Sequence, residues 1–265
     1  MIKVIVCGAC GKMGSRLISL ISQDKEMKII GAVEKTNHPR VNKTVFGDIV
    51  AADNLEKTIL DADVVIDFTN PDATLDHVEI AARYQKPMVI GTTGLNEGHV
   101  TEISAVAKVA ERMPIVLAPN MSPGVNLLFN LVREIDEALP DYDVEIIELH
   151  HNQKKDAPSG TALKLADKVA VGLDASKEVI SRKPFFGRHG NIGSRKPEEI
   201  GIHAVRAGDI VGTHIVLFAG PGESIEITHR AHSRDVFAHG AIKAAKWIIG
   251  KPPDLYDMQD VLGIK

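Results

Sequence analysis

The chain has 265 residues, 44% hydrophobic and 25% charged, with 31 basic against 35 acidic side chains and a formal net charge of −4. These values exclude a disordered or fibrous chain and disfavour a dedicated nucleic-acid binder, and no apolar run reaches the roughly 20 residues of a membrane span. Lys12 interrupts the apolar start before it could act as a signal sequence, so the sequence points to a cytoplasmic protein with room for two modest domains.

In chain order, residues 2–7 read as a short buried strand. The stretch Gly8-Ala-Cys-Gly-Lys-Met-Gly14 and an amphipathic helix over 15–23 follow it. Apolar runs at 27–33, 64–66, 88–90 and 115–117 each end in a polar or glycine-bearing turn. Helices are predicted after 71, over 98–111 and up to 138. Strands alternating with helices predict a parallel sheet covered on both faces. Beyond about residue 140 the rhythm changes. A strand over 144–149, a helix over 161–171 and a loop-rich stretch from 182 to 200 precede strands at 201–205, 210–218 and 224–229. Ala207-Gly-Asp209 and Gly220-Pro-Gly222 read as hairpin-type turns between those strands, giving an α+β domain on a mostly antiparallel sheet. A last helix over 236–249 is expected to return to the first domain. The expected division is therefore 1–122 completed by 235–265, a Rossmann-type dinucleotide-binding domain, and 123–234, a substrate-binding and oligomerisation domain.

The glycine turn carries the first functional signal. A dinucleotide's pyrophosphate sits at a helix N-terminus, where free N–H groups and the helix dipole favour negative charge and a side chain would block the backbone's approach. Gly8, Gly11 and Gly14 meet that demand between a strand and a helix. Glu34 stands 20 residues beyond Gly14 at the end of the second strand, where a carboxylate accepts the ribose hydroxyls. Glu34 favours NADH, while Lys35 and nearby Arg40 could neutralise the extra phosphate of NADPH, so both cofactors should be usable. Cys7 and Cys10 form a C-x-x-C, but they bracket this turn and lack further zinc ligands at matching spacing, so no metal is assigned.

The densest chemistry lies at Glu148-Leu-His150-His151-Asn-Gln-Lys154-Lys-Asp-Ala-Pro-Ser159-Gly160-Thr161-Ala162, between a strand and a helix. Two histidines and a lysine in one loop offer proton donors and a fixed cation, and the Ser159–Thr161 helix start could hold a carboxylate. The loop points to an anionic small-molecule substrate.

With the Asp67-Phe-Thr69 and Gly91-Thr-Thr-Gly94 turns and Ala118-Pro-Asn-Met-Ser-Pro-Gly-Val-Asn126, these strings resemble the dihydrodipicolinate reductase family nearly end to end, through His229-Arg-Ala-His-Ser-Arg234 and Phe237-Ala-His-Gly240. The resemblance implies NAD(P)H-dependent reduction of 4-hydroxy-tetrahydrodipicolinate to tetrahydrodipicolinate with loss of water, in lysine and diaminopimelate biosynthesis. It makes His150 the acid/base and Lys154 a proton donor, with His151, Gly160 and Thr161 on the substrate. The backbone of Gly8, Ala9, Cys10, Gly11, Lys12 and Met13 would hold the pyrophosphate, and Glu34 and Lys35 the ribose end. Gly91, Thr92 and Thr93 with Ala118, Pro119, Asn120 and Met121 would line the nicotinamide side, and Arg234 and Phe237 are looser carry-overs. A homotetramer built through the second-domain sheet is implied as well. The alternatives are another two-domain NAD(P)-dependent dehydrogenase of amino-acid metabolism, or a dinucleotide-sensing regulator without turnover.

Overall fold

The structure, a computed structural model, describes residues 1–108, 113–171 and 182–264. The chain opens with β1 (Ile2–Cys7), α1 (Lys12–Ile21), β2 (Met27–Val33), β3 (Thr44–Phe46), β4 (Ile49–Ala52) and β5 (Val64–Asp67). Next come α2 (Pro71–Arg83), β6 (Met88–Ile90), α3 (Glu97–Lys108) and β7 (Ile115–Leu117). Then follow α4 (Pro123–Ala138), β8 (Asp143–His150), α5 (Gly160–Val171), β9 (Lys183–Phe186), β10 (Glu199–Arg206), β11 (Gly212–Gly220) and β12 (Glu223–Ala231). The chain closes with α6 (Asp235–Trp247), β13 (Leu255–Tyr256) and α7 (Met258–Leu262). Two compact units result, one from Met1–Pro123 with Asp235–Gly263, the other from Gly124–Arg234.

In the first unit the sheet runs β13-β7-β6-β5-β1-β2-β4-β3, parallel throughout except where β3 meets β4. Alternation along β1 sends Val4 and Val6 to one face and Ile5 and Cys7 to the other, all fully buried. The first face packs on Leu17, Ile18 and Ile21 of α1 and on Ala238, Ala241, Ala244 and Ala245 of α6; the second meets Val78 and Ala81 of α2 and Ile103 and Ala107 of α3. Small residues on α6 let it come close: a Cβ on Gly240 would lie 1.7 Å from the Met121 carbonyl oxygen. Asn70 caps α2 by accepting from the Ala73 amide, and Pro71 fills its first position.

Helix α1 starts at Lys12, three residues before the sequence reading placed it, because Gly11 is the N-cap and Ser15 is already inside, its hydroxyl donating back to the Gly11 carbonyl at 2.7 Å. The helix read over 98–111 is seen as Glu97–Lys108, and its last residues lie outside the described ones. Strands β3 and β4 were not read from the sequence, since their short stretches show neither a period-2 nor a helical pattern.

The second unit's sheet runs β12-β11-β8-β10-β9. Its two antiparallel pairings, β12 with β11 over nine residue pairs and β11 with β8 over seven, together outweigh the two parallel ones, β8 with β10 over seven and β10 with β9 over four. The turn Gly220–Gly222 joins β11 and β12 as a true hairpin. Ala207–Asp209 does not: β8 lies between β10 and β11, so this segment carries the chain past a strand that ended 57 residues earlier, a pairing that local turn chemistry does not encode. Residues 182–200, read as loop, also contain β9. Helices α4 and α5 cover one face through Val125, Leu128, Val132, Leu165 and Val169 against Val144, Ile146, Val216 and Phe218.

Candidate active site

In the first unit, β1 delivers the chain into the glycine turn. Gly8 has φ +74°, and a Cβ there would meet the Phe68 carbonyl oxygen at 2.4 Å; on Gly14 it would meet the Gly8 carbonyl oxygen at 2.1 Å. These two glycines are therefore required by the fold's own backbone contacts, before any ligand is considered. Gly11 is exposed, and α1 begins on it with no side-chain cap and no acidic residue in the first turn. Its positive end is thus open to an anion, which fits a pyrophosphate. The Cys10 amide donates to Glu34 Oε2 at 3.1 Å and the Lys35 amide to Oε1 at 3.0 Å, so the carboxylate at the end of β2 is fastened beside the turn.

The two thiols are free, and both are pushed up, Cys7 by burial and then by Asp67 and Glu34, Cys10 by burial and then by Glu34. Among the described residues, Cys7 groups with Asp67 and His77, and Cys10 with Glu34 and His38, so the thiols do not converge as two ligands of one site.

A second feature of this unit was only partly legible. Asp67, at the end of β5, is fully buried and accepts the Thr69 amide at 3.1 Å, the hydroxyls of Thr69 at 2.7 Å, Thr74 at 3.1 Å and Thr92 at 2.9 Å, and pairs with His77 at 2.5 Å. Burial alone would raise this carboxyl, but His77, Thr69 and Thr92 hold it below the usual carboxylate range. Thr92 therefore points its side chain at Asp67, while Thr93 is exposed. Gly91 leaves room for the Phe68 ring, which a Cβ would overlap at 2.2 Å. Ala118 and Met121 are buried, with Met121 in the apolar core, and Pro119 is exposed. The Met121 side chain is thus occupied inside the unit.

In the second unit β8 ends at His150. Glu148 and His150, two apart on one strand, share a face, and the His150 Nδ1 pairs with Glu148 Oε2 at 2.5 Å. Arg206, opposite His150 on β10, donates to both Glu148 oxygens at 2.8 and 2.6 Å, and the Ser159 amide adds a bond at 3.0 Å. Burial would raise Glu148, yet Arg206, then His150 and Ser159, hold it below its ordinary range. His150 is pulled down by burial, opposed by Glu148, with Lys154 and Arg206 adding to the fall. Its ring stands edge-on to His214 at 5.2 Å. His214, pulled down to about 3 by burial and then by His150, stays neutral and bonds through Nε2 to the Ser159 hydroxyl at 3.0 Å. A Cβ on Gly212 would come 3.1 Å from His150 Nε2, so this glycine keeps that side of the ring clear.

Lys154 Nζ pairs with Asp156 at 2.8 Å, and its amide donates to the His151 carbonyl. His151 Nδ1 is buried without a hydrogen-bond partner among the described residues, and Arg234 reaches its Nε2 at 3.5 Å. The Ser159 hydroxyl accepts the Ala162 amide, capping α5, and Gly160 is exposed with open space where a Cβ would stand. The loop thus gathers His150, His151 and Lys154 next to an exposed helix start. Glu148, Arg206 and His214 were not singled out from the sequence. The two-residue step from Glu148 to His150 was the available signal for the first; Arg206 and His214 arrive by long-range pairing.

A parallel sheet entered through a glycine turn, with a second unit presenting a histidine–lysine loop, defines a two-unit dinucleotide-dependent oxidoreductase. Models of the N-terminus and the C-terminus of dihydrodipicolinate reductase match residues 2–121 and 124–262. The chain belongs to the dihydrodipicolinate reductase family. It is 49% identical over 273 residues to the 4-hydroxy-tetrahydrodipicolinate reductase of Syntrophus aciditrophicus and 46% identical over 275 residues to that of Syntrophotalea carbinolica, with 100% of both chains covered in each case. Among solved structures, a dipicolinate-bound dihydrodipicolinate reductase from Paenisporosarcina sp. TG-14 matches with a TM-score of 0.79 at 26% identity, covering 98% of each chain.

Proposed function

We propose that this chain reduces 4-hydroxy-tetrahydrodipicolinate to tetrahydrodipicolinate with loss of water, in lysine and diaminopimelate biosynthesis. The first unit would bind NADH or NADPH, with the backbone of Gly8–Met13 on the pyrophosphate, Glu34 on the ribose and Lys35 beside a 2′-phosphate. The turns Gly91–Thr93 and Ala118–Met121 would contribute to the nicotinamide side mainly through backbone groups. When bound, the dinucleotide supplies a hydride to C4 of the substrate ring. The C4 hydroxyl departs as water with a proton, and the hydride takes its place, so one proton is consumed for each hydride.

The protein's part is to hold the dicarboxylate and manage that proton. The Gly160–Thr161 helix start and His151 would hold the carboxylates, and His150 Nε2 and Lys154 Nζ would exchange the proton. The observation that carries this reading is the state of His150: Glu148 occupies Nδ1, which leaves Nε2 as the nitrogen for proton transfer. Unit 2 would also carry the assembly into a homotetramer, since Ile147, Leu149, Ile215 and Leu217 lie on the sheet face opposite α4 and α5 and remain half-buried. No helix among the described residues is long and apolar enough to cross a membrane, which accords with work in the cytoplasm.

The test is initial rates of dinucleotide oxidation with and without the hydroxylated dicarboxylate, using NADH and NADPH in parallel. Substrate-dependent oxidation is expected, with Lys154→Ala slowing turnover on the order of 100-fold at unchanged dinucleotide affinity. Unimpaired turnover in Lys154→Ala would sink the assignment of that residue, and absence of substrate-dependent oxidation would sink the reaction. Lys35→Ala should weaken NADPH use more than NADH use.

A further inference from the structure

A buried ion pair adds little net stability over an apolar pair of the same volume, so the Glu148–Arg206 pair does not by itself account for a carboxylate at this position. What an apolar residue would not supply is the remaining acceptor. Oε1 takes the Ser159 amide and one Arg206 nitrogen, while Oε2 takes the other Arg206 nitrogen and the His150 ring. A carboxylate can only accept, so the neutral imidazole facing it must carry its hydrogen on Nδ1 and its lone pair on Nε2. The same carboxylate holds the amide of Ser159, directly before the exposed Gly160 of the α5 start. One group therefore spans the acid/base ring and the anion-binding turn.

We infer that Glu148 is a positioning residue that fixes the tautomer of His150 and sets the distance between its Nε2 and the α5 start. The inference rests on His150 being the acid/base of the proposed reaction. The charged and titratable groups around that ring are Glu148 on β8, Arg206 on β10, His214 on β11, and Lys154 with its partner Asp156 in the loop. Because Glu148 favours the imidazolium and Arg206 opposes it, removing each should move His150 in opposite directions.

The test compares Glu148→Gln with Arg206→Gln. In the first, the new amide keeps its oxygen toward Ser159 and Arg206 and turns its NH2 toward His150, reversing the tautomer. Ring titration by NMR, with the His150 signal assigned by its loss in His150→Asn, should show a lower midpoint and a changed tautomer in Glu148→Gln and a higher midpoint in Arg206→Gln. Turnover of Glu148→Gln should fall on the order of 100-fold with dinucleotide affinity within about twofold of the parent. The limb of the pH–rate profile assigned to His150 should move to lower pH in Glu148→Gln and to higher pH in Arg206→Gln. Midpoints that stay put, or move the same way in both variants, overturn the inference. If Glu148→Gln does not fold, the upward shift in Arg206→Gln decides alone. The ring titration needs no substrate: opposite shifts in a parent enzyme without reductase turnover would support the pairing while overturning the reaction assigned above.

Discussion

Each unit of the chain buries one carboxylate at the end of a strand and sets a histidine against it at 2.5 Å, yet the two surroundings differ in kind. Asp67 is ringed by three threonine hydroxyls and an amide drawn from the β5 turn, from α2 and from the β6 turn, with no arginine or lysine in hydrogen-bond contact among the described residues. Glu148 is clamped from two sides by one guanidinium, and its other partners are the ring of His150 and the first turn of α5. Neutral donors spread around a charge tie loops together without adding a competing charge. A guanidinium offsets the carboxylate's burial and leaves its last lone pair to act on a titrating ring. The first arrangement is a clasp for the turns beside the glycine motif; the second, on the reaction proposed above, would be a setting for proton transfer.

That contrast is open to attack. The largest effect should be the loss of turnover in Glu148→Gln described above. Its counterpart, Asp67→Asn, should instead lower stability by about 2 kcal/mol, because one amide leaves the hydroxyls and His77 partly unpaired. Urea unfolding measures this, and turnover per folded molecule should stay close to the parent. If Asp67→Asn slowed turnover as much as Glu148→Gln, the distinction between clasp and setting would fail. Gly212→Ala presses a methyl toward His150 Nε2 and should cut turnover about tenfold at nearly unchanged melting temperature, since ring orientation matters steeply for proton transfer. Thr74→Val removes one of three hydroxyls and should cost about 1 kcal/mol with no change in rate.

The pH dependence has a definite sign as well. Asp67 has its carboxyl held below the unfolded value, so its contribution to stability is fully present above about pH 4 and is lost as pH falls through the lower folded value. Acid unfolding of Asp67→Asn should therefore begin from a lower plateau and show a shallower dependence in that range. A dependence unchanged from the parent would remove the charge on Asp67 from the account.

Much of this architecture was legible in the sequence, and the rest fails for identifiable reasons. The runs Met88–Ile90 and Ile115–Leu117 became β6 and β7 with the same ends, because a fully buried parallel strand bounded by a turn leaves a sharp apolar signature. The start of α1 was misplaced because Gly11, its N-cap, reads as part of the glycine turn, so that the helix is expected only after Gly14. Ala207–Asp209 looked like a hairpin because turn residues report a change of direction and say nothing of which strand comes next. In the site, the loop from His150 to Thr161 could be read as a string because it is contiguous. Its dependence on Arg206 and His214 could not, since strand pairing brings Arg206 opposite His150 from 56 positions away and His214 opposite Glu148 from 66 positions away. Gly8 and Gly14 taught a related lesson: a motif read for what a ligand requires was also what the backbone of Phe68 and of the turn itself requires.

The return of α6 to the first unit carries a consequence for synthesis. By the time the ribosome has made residue 121, every strand of that sheet except β13 exists, but the alanine-lined helix that shares the cover of one of its faces with α1 is still more than a hundred residues from being translated. The second unit suffers no such delay, since its sheet and both helices are complete once residue 231 has emerged. The nascent chain would therefore carry a sheet face covered by α1 alone while a later segment folds ahead of it. Until Gly240 reaches Met121, the part of that face that α6 covers would stay open to aggregation.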